Sequence, residues 1–272
     1  MFNFFYKNES YLNKYTLGLA VLGVAGLLTG LVFLGMPAIK AAKSIYNNRP
    51  VRMRLIVIKP ADCKECFDIY QVTDFIQQTL GVKYSGKKEY TADSASGKKL
   101  IEAYKITSLP SFILQGDINK VKLGELFDAS SIGFTDAKTF VYANKFPPFY
   151  NVADKQVRGK FNLTYLTDKS CATCYDVSLH DRALENLVMK PSASSTIDIV
   201  SPEGKKLISD YKIKLVPTIL IKGDMDAYQN FAKLWETVGT IEKDGTYIFR
   251  DAGLKLMGAY KNLWTGKLEN EK

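Results

Sequence analysis

The sequence predicts an α/β chain: an N-terminal membrane-spanning helix followed by two tandem copies of one small domain. Three observations predict it. Residues 15–39, "YTLGLAVLGVAGLLTGLVFLGMPAI", run for 25 positions without a charge between Lys14 and Lys40. The stretch "GKKLIEAYKITSLPSFILQGD" (97–117) is nearly rewritten as "GKKLISDYKIKLVPTILIKGD" (204–224). In it Gly97, Leu100, Ile101, Tyr104, Ile106 and Pro110 recur 107 positions later as Gly204, Leu207, Ile208, Tyr211, Ile213 and Pro217. Upstream, Cys63-Lys64-Glu65-Cys66 recurs as Cys171-Ala172-Thr173-Cys174 at offset 108. Two copies at this period make a duplicated domain of ordinary size rather than a solenoid. The expected division is 1–49 for anchor and linker, 50–150 for the first domain and 151–272 for the second.

The N-terminal segment comes first. A helix needs about 20 apolar residues to cross a bilayer. Gly18, Gly23, Gly26, Gly30 and Gly35 would be costly in a water-exposed helix, whereas glycine is frequent in membrane spans. The apolar run exceeds a usual signal-peptide core, and no small-x-small cleavage site follows it: Met36 precedes Ala38 by two, and Lys40 precedes Ala42 by two. An uncleaved anchor, with the lipid membrane as partner through residues 15–39, is therefore expected.

Charge supports that reading and excludes another. The formal net charge is +9, but residues 1–54 hold seven Lys/Arg against Glu9 alone, a net +6, which leaves +3 for the remainder. Basic residues beside an apolar span meet anionic headgroups, and nothing in the rest reads as a nucleic-acid partner site. Orientation is pulled both ways. Two Lys precede the span and five Lys/Arg follow it, a count that favours cytoplasmic domains. The cysteine pairs favour an extracytoplasmic location, because disulfides persist outside the reducing cytoplasm. The expectation is a single-pass membrane protein with extracytoplasmic domains, the cytoplasmic side remaining open.

Within each copy the pattern repeats. "RLIVIK" (54–59) and "KFNLTYLT" (160–167) are strands rich in branched and aromatic residues. Helices are expected over 66–81 and 174–189, where apolar residues follow helical spacing from each second cysteine, Gly81 ending the first. "TIDIV" (196–200) reads as a strand, "GKKLISDYKI" as a short helix with Leu207, Ile208 and Tyr211 on its apolar face, and "TILI" (218–221) as the next strand. "TIEKDGTYIF" (240–249) reads as a hairpin around Asp244-Gly245, and "YQNFAKLWETV" (228–238) as an additional helix.

The chain has four cysteines, all in the two pairs. A cysteine in the first turn of a helix sits near unpaired N–H groups, which favour thiolate. A second cysteine three residues on is within disulfide reach. An outward thiolate attacks a disulfide and its partner resolves the mixed disulfide. Cys63 and Cys171 are the expected nucleophiles; Cys66 and Cys174 are the expected resolving residues. Asp62 and Glu65 raise the thiol pKa near Cys63, so Cys171 is the expected better nucleophile. Two other readings stay open: static structural disulfides, and half-sites for zinc or copper, although 104 residues separate Cys66 from Cys171. No cofactor or resident metal is expected. His180, six residues after Cys174, is placed by helical spacing on the opposite, solvated face.

Strand, CxxC, helix and a proline some forty residues later before a strand resemble the thioredoxin superfamily. Two such domains are similar to tandem-domain protein disulfide oxidoreductases. The resemblance implies that Pro110 and Pro217 are cis. It also implies that Leu109 and Val216 before them offer main-chain bonds to an extended substrate, so that these four residues bind substrate. The chain departs from the family pattern at several positions. Asp62 and Ser170 stand where a Trp is usual, Lys-Glu and Ala-Thr replace Gly-Pro, and Val57 and Tyr165 occupy the place of a buried acid. These departures argue against fast general reductase activity. The implied function is a membrane-anchored thiol–disulfide oxidoreductase or isomerase whose partners are thiol- or disulfide-containing proteins. The alternatives are a redox-inert thioredoxin-fold scaffold and a metal-binding protein.

Overall fold

The structure, a computed structural model, describes residues 50–127 and 132–270. The span expected at 15–39 lies outside them. Among the described residues no helix is long and apolar enough to cross a membrane. The chain divides into two units between Gly159 and Lys160.

The first unit runs β1 (Val51–Lys59), α1 (Tyr70–Leu80), β2 (Val82–Thr91), α2 (Ala95–Ala103), β3 (Ser108–Leu109), β4 (Ser111–Gly116), α3 (Leu123–Leu126), β5 (Ile132–Thr135), β6 (Thr139–Tyr142), β7 (Phe149–Asn151) and β8 (Gln156–Arg158). The second repeats this order with one added helix, α7: β9 (Phe161–Thr167), α4 (Leu179–Asn186), β10 (Ala193–Asp198), α5 (Pro202–Tyr211), β11 (Leu215–Val216), β12 (Thr218–Gly223), α6 (Phe231–Trp235), β13 (Gly239–Ile241), β14 (Tyr247–Phe249), α7 (Asp251–Leu254), β15 (Tyr260–Asn262) and β16 (Leu268–Glu269).

The main sheets have matching orders, β2-β1-β4-β6-β5 and β10-β9-β12-β14-β13. In each, the first two strands of the unit are parallel and the strand after the key proline returns antiparallel beside the first. These two α/β modules resemble tandem thioredoxin-like domains. A second, small sheet accompanies each main one, β3-β7-β8 and β11-β15-β16. Strand β7 straddles the boundary expected at 150/151 and pairs back to β3, which carries the first unit on to Gly159.

Alternation builds the layers. In β1, Met53, Leu55 and Val57 point into one cluster with Ile69 and Ile76, while Ile56 and Ile58 point into another with Ile106, Ile113 and the α2 residues Leu100 and Ile101. Successive side chains alternate across a strand, so both faces of this central strand are covered by helices. Each fully buried aliphatic side chain contributes about 1.5–3 kcal/mol. In β9 the same alternation sends Phe161 and Leu163 toward Leu184 and sends Leu166 toward Leu207, Ile208 and Tyr211.

The repeated Gly-Lys-Lys start of α2 and α5 has a steric cause. Ser94 and Ser201 cap these helices by accepting from the Gly97 and Gly204 N–H groups, each at 3.0 Å. A Cβ on Gly97 would lie 2.0 Å from the Thr91 carbonyl oxygen, and one on Gly204 would lie 2.1 Å from that of Asp198. Glycine lets each helix begin against the end of the preceding strand. The hairpin expected around Asp244-Gly245 forms between β13 and β14, and the helix expected within 228–238 is the five-residue α6.

The helices expected from the cysteines start later than predicted. Helix α1 begins at Tyr70 and α4 at Leu179, four and five residues beyond Cys66 and Cys174. The cause is a matched pair of aspartates. Asp68 Oδ1 accepts from the Tyr70 N–H at 3.0 Å, and Asp176 Oδ1 accepts from the Ser178 N–H at 2.9 Å. Such Asx turns give the main chain a local alternative to helix. They hold the cysteines in the loop.

Candidate functional site

Each cysteine pair forms a disulfide in the loop between the first strand and first long helix of its unit. Cys63–Cys66 has S–S 2.03 Å and Cys171–Cys174 has S–S 1.98 Å, both with Cα–Cα 5.4 Å. All four cysteines are half-buried. With the helices starting later, none of the four stands in a first helical turn. The favourable field of the helix end falls off within about one turn, so the electrostatic activation expected from that position is weakened.

The loop is tied to the same elements in both units. The N–H of the residue after the second cysteine donates to the segment that enters the small sheet: Phe67 to the Pro148 carbonyl at 2.8 Å, and Tyr175 to the Ala259 carbonyl at 2.8 Å. Beyond those bonds the units differ. Phe67 stacks on Phe146 with ring centroids 4.9 Å apart. Tyr175 is buried and donates its hydroxyl to the Pro217 carbonyl at 2.8 Å. The Leu109–Pro110 and Val216–Pro217 peptides are both cis, as the resemblance implies.

Leu109, Pro110, Val216 and Pro217 are all buried. The main chain before each proline is already paired, Leu109 opposite Tyr150 in β7 and Val216 opposite Lys261 in β15. In this structure the main-chain edge at Leu109 and Val216 is therefore taken by β7 and β15. The covering strands β7 and β15 escaped the sequence reading because each is three residues long, too short to show a periodicity.

The charged surroundings of the second pair centre on one buried carboxylate. Asp168, three residues before Cys171, has a side chain only 2% exposed and lies 2.5 Å from the Lys261 ammonium. It accepts from the Ser170 N–H at 2.9 Å and the Ser170 hydroxyl at 2.6 Å, and its main-chain carbonyl accepts from the Cys171 N–H at 3.0 Å. Burial pushes this carboxyl up, but the bonds from Lys261 and Ser170 outweigh it and hold the group below the usual range. Asp168 thus organises the turn that carries Cys171.

His180 is a correction. It is 3% exposed, its ring lies 4.5 Å from that of Phe249, and its Nε2 is 3.2 Å from the Tyr175 hydroxyl. Burial pushes its pKa down to about 4. The six-residue spacing from Cys174 misled because most of that stretch is loop. At the positions where the family carries a buried acid, Val57 is buried and apolar, while the Tyr165 hydroxyl donates to the Asp181 carboxylate from α4. Among the described residues no three His, Cys, Asp or Glu side chains gather where they would hold a metal ion.

No protein-family model and no curated protein matches the chain. Among solved structures, a mutant of the alkylhydroperoxide reductase protein AhpF from Enterococcus faecalis aligns with 69% of this chain and 88% of its own, at 14% identity and a TM-score of 0.21. The NTD_N/C domain of the same Enterococcus faecalis protein aligns with 68% and 88%, at 13% identity and a TM-score of 0.20. Scores this low carry no argument, and the fold rests on the strand orders and connections described above.

Proposed function

We propose that the chain is a membrane-anchored thiol–disulfide oxidoreductase or isomerase that exchanges disulfides with extracytoplasmic protein substrates through Cys63–Cys66 and Cys171–Cys174. The observation that carries this reading is the pair of half-buried CxxC disulfides at the same place in two copies of one fold. The uncharged segment at 15–39 supports the anchor.

In one direction a substrate thiolate attacks the sulfur of Cys63 or Cys171. The Cys–Cys bond breaks as the mixed disulfide forms, and the second cysteine leaves as thiolate and takes up a proton. A second substrate thiolate then attacks its own sulfur in the mixed disulfide and releases the first cysteine. Two electrons pass from the substrate dithiol to the cysteine pair. The reverse sequence reduces a substrate disulfide and regenerates the pair.

Removing the second cysteine strands the mixed disulfide. Full-length Cys66→Ser and Cys174→Ser variants, acid-quenched in cells of a producing host, are expected to carry covalently linked proteins that reductant releases. Absence of such adducts from both variants contradicts the exchange reading. Protease access to residues 50–272 in intact cells tests the side on which the domains lie.

A second reading, a redox-inert scaffold with structural disulfides, is favoured by the loop placement of the cysteines and the paired main chain at Leu109 and Val216. It predicts disulfides that resist mild reductant and no adducts.

A further inference from the structure

In the second unit three segments converge on one disulfide. Tyr175, next to Cys174, is bonded through its N–H to Ala259 before β15 and through its hydroxyl to Pro217 after β11. Lys261, in β15, reaches Asp168 before Cys171 at 2.5 Å. The ladder between β11 and β15 can be phased. Leu263 N–H donates to the Lys214 carbonyl at 2.8 Å. Bonded and non-bonded pairs alternate along an antiparallel ladder, so the pair two residues on, Val216 with Lys261, exchanges both main-chain bonds. The first unit has the same phase: Val152 N–H donates to the Thr107 carbonyl at 2.9 Å, which makes Leu109 and Tyr150 a bonded pair.

A polypeptide that lays a cysteine against Cys171 in extended form gains register by pairing with a strand edge. The edge tied to this disulfide loop is that of β11, and β15 occupies it. The same cover stands in the first unit, but the clamp does not. Tyr150 holds the ladder position of Lys261, and Pro60 stands three residues before Cys63 where Asp168 stands before Cys171.

Resting on the exchange reading above, we infer that β15 is a self-strand covering the docking edge for an extended polypeptide partner, and that the Lys261–Asp168 ion pair latches it. Lys261 and Asp168 are positioning residues. They decide which of the two disulfides a polypeptide thiol reaches, and they leave small thiols unaffected because these need no strand edge. A peptide therefore reacts first at Cys63–Cys66.

The test uses the full-length chain in detergent and reads each pair separately by alkylation and mass spectrometry. Two reductants are compared: dithiothreitol, and an unstructured peptide with one central cysteine. The peptide thiolate attacks the disulfide, a peptide–cysteine bond replaces the Cys–Cys bond, and the displaced cysteine thiolate takes a proton from solvent. Lys261→Met is expected to raise the peptide rate at Cys171–Cys174 about tenfold by raising the open fraction, with the dithiothreitol rate within about twofold. Lys261→Arg, which keeps the pair, is expected to stay near the parent rate.

The inference is overturned by an unchanged peptide rate in Lys261→Met, by a parallel rise with dithiothreitol, or by Lys261→Arg behaving like Lys261→Met. Asp168→Asn, which keeps an acceptor for Ser170, is expected to reproduce Lys261→Met. Amide hydrogen exchange of Val216 and Lys261 reads the latch without any sulfur chemistry. It is expected to quicken in Lys261→Met, and unchanged exchange overturns the latch. If dithiothreitol reduces neither pair, the exchange reading fails on its own, and the amide measurement still decides whether the ion pair holds the strand.

Discussion

The Tyr175 hydroxyl donates to the carbonyl of Pro217 at 2.8 Å, joining the residue beside Cys174 to the residue that follows Val216. The position after Cys66 in the first unit is Phe67, which has no hydroxyl to make this bond. Tyr175→Phe therefore leaves a buried carbonyl and His180 without that partner. A loss of roughly 1–3 kcal/mol is expected for the second unit. Urea unfolding followed by hydrogen exchange within residues 160–270 measures it, and a neutral result would show that the bond is not formed.

Buried His180 makes the second unit sensitive to acid. Its pKa of about 4 in the folded chain lies below the ordinary value of 6.5. The unfolded chain therefore binds more protons between these values, and stability rises with pH across the window. The contribution is complete above about pH 6.5 and falls as pH drops toward 4, by roughly 3 kcal/mol in all. Unfolding free energy measured from pH 7 to pH 4 is expected to show this loss in the parent chain and a shallower slope in His180→Gln. Equal slopes contradict the assignment.

The helix starts at Gly97 and Gly204 admit no side chain. Alanine normally stabilises a helix by about 1 kcal/mol over glycine. Here Gly97→Ala and Gly204→Ala place a methyl against a main-chain oxygen and are expected to cost about 3 kcal/mol or more. A Cβ on Gly124, in α3, would meet nothing within 4 Å, and Gly124→Ala is the control, expected to be neutral or mildly stabilising. Thermal melts of the three variants decide the matter; equal melting temperatures for all three contradict the close approach.

Tyr142 is fully buried, and its ring stacks on Phe112 with centroids 4.9 Å apart, yet its hydroxyl has no hydrogen-bond partner among the described residues. Tyr142→Phe keeps the ring and removes the unsatisfied group. An increase of about 1 kcal/mol in unfolding free energy is expected. A decrease of that size would reveal a partner for the hydroxyl.

Much of the fold was legible because burial leaves a periodic trace. Strands β1 and β9 read as strands because both faces are covered, and the Gly-Lys-Lys helices announced themselves by repetition at a steric contact. Strand β2, "VKYSGKKEYT", was harder to read because it is a polar edge strand. The helix starts were misplaced because Asp68 and Asp176 turn the chain before the apolar spacing becomes helical, and His180 went with them. The candidate disulfides were legible in the cysteine spacing. Their surroundings were not: Asp168 and Lys261 are 93 positions apart, and strands of two or three residues leave no pattern to find.

Both cysteine pairs are proposed to exchange with external thiols. The direct measurement is a glutathione redox titration of the full-length chain, with each pair read separately by alkylation and mass spectrometry, on the parent and on Cys63→Ser and Cys171→Ser. Two independent, reversible transitions are expected, one of which disappears in each variant. Two disulfides that stay oxidised across the titration would contradict that exchange.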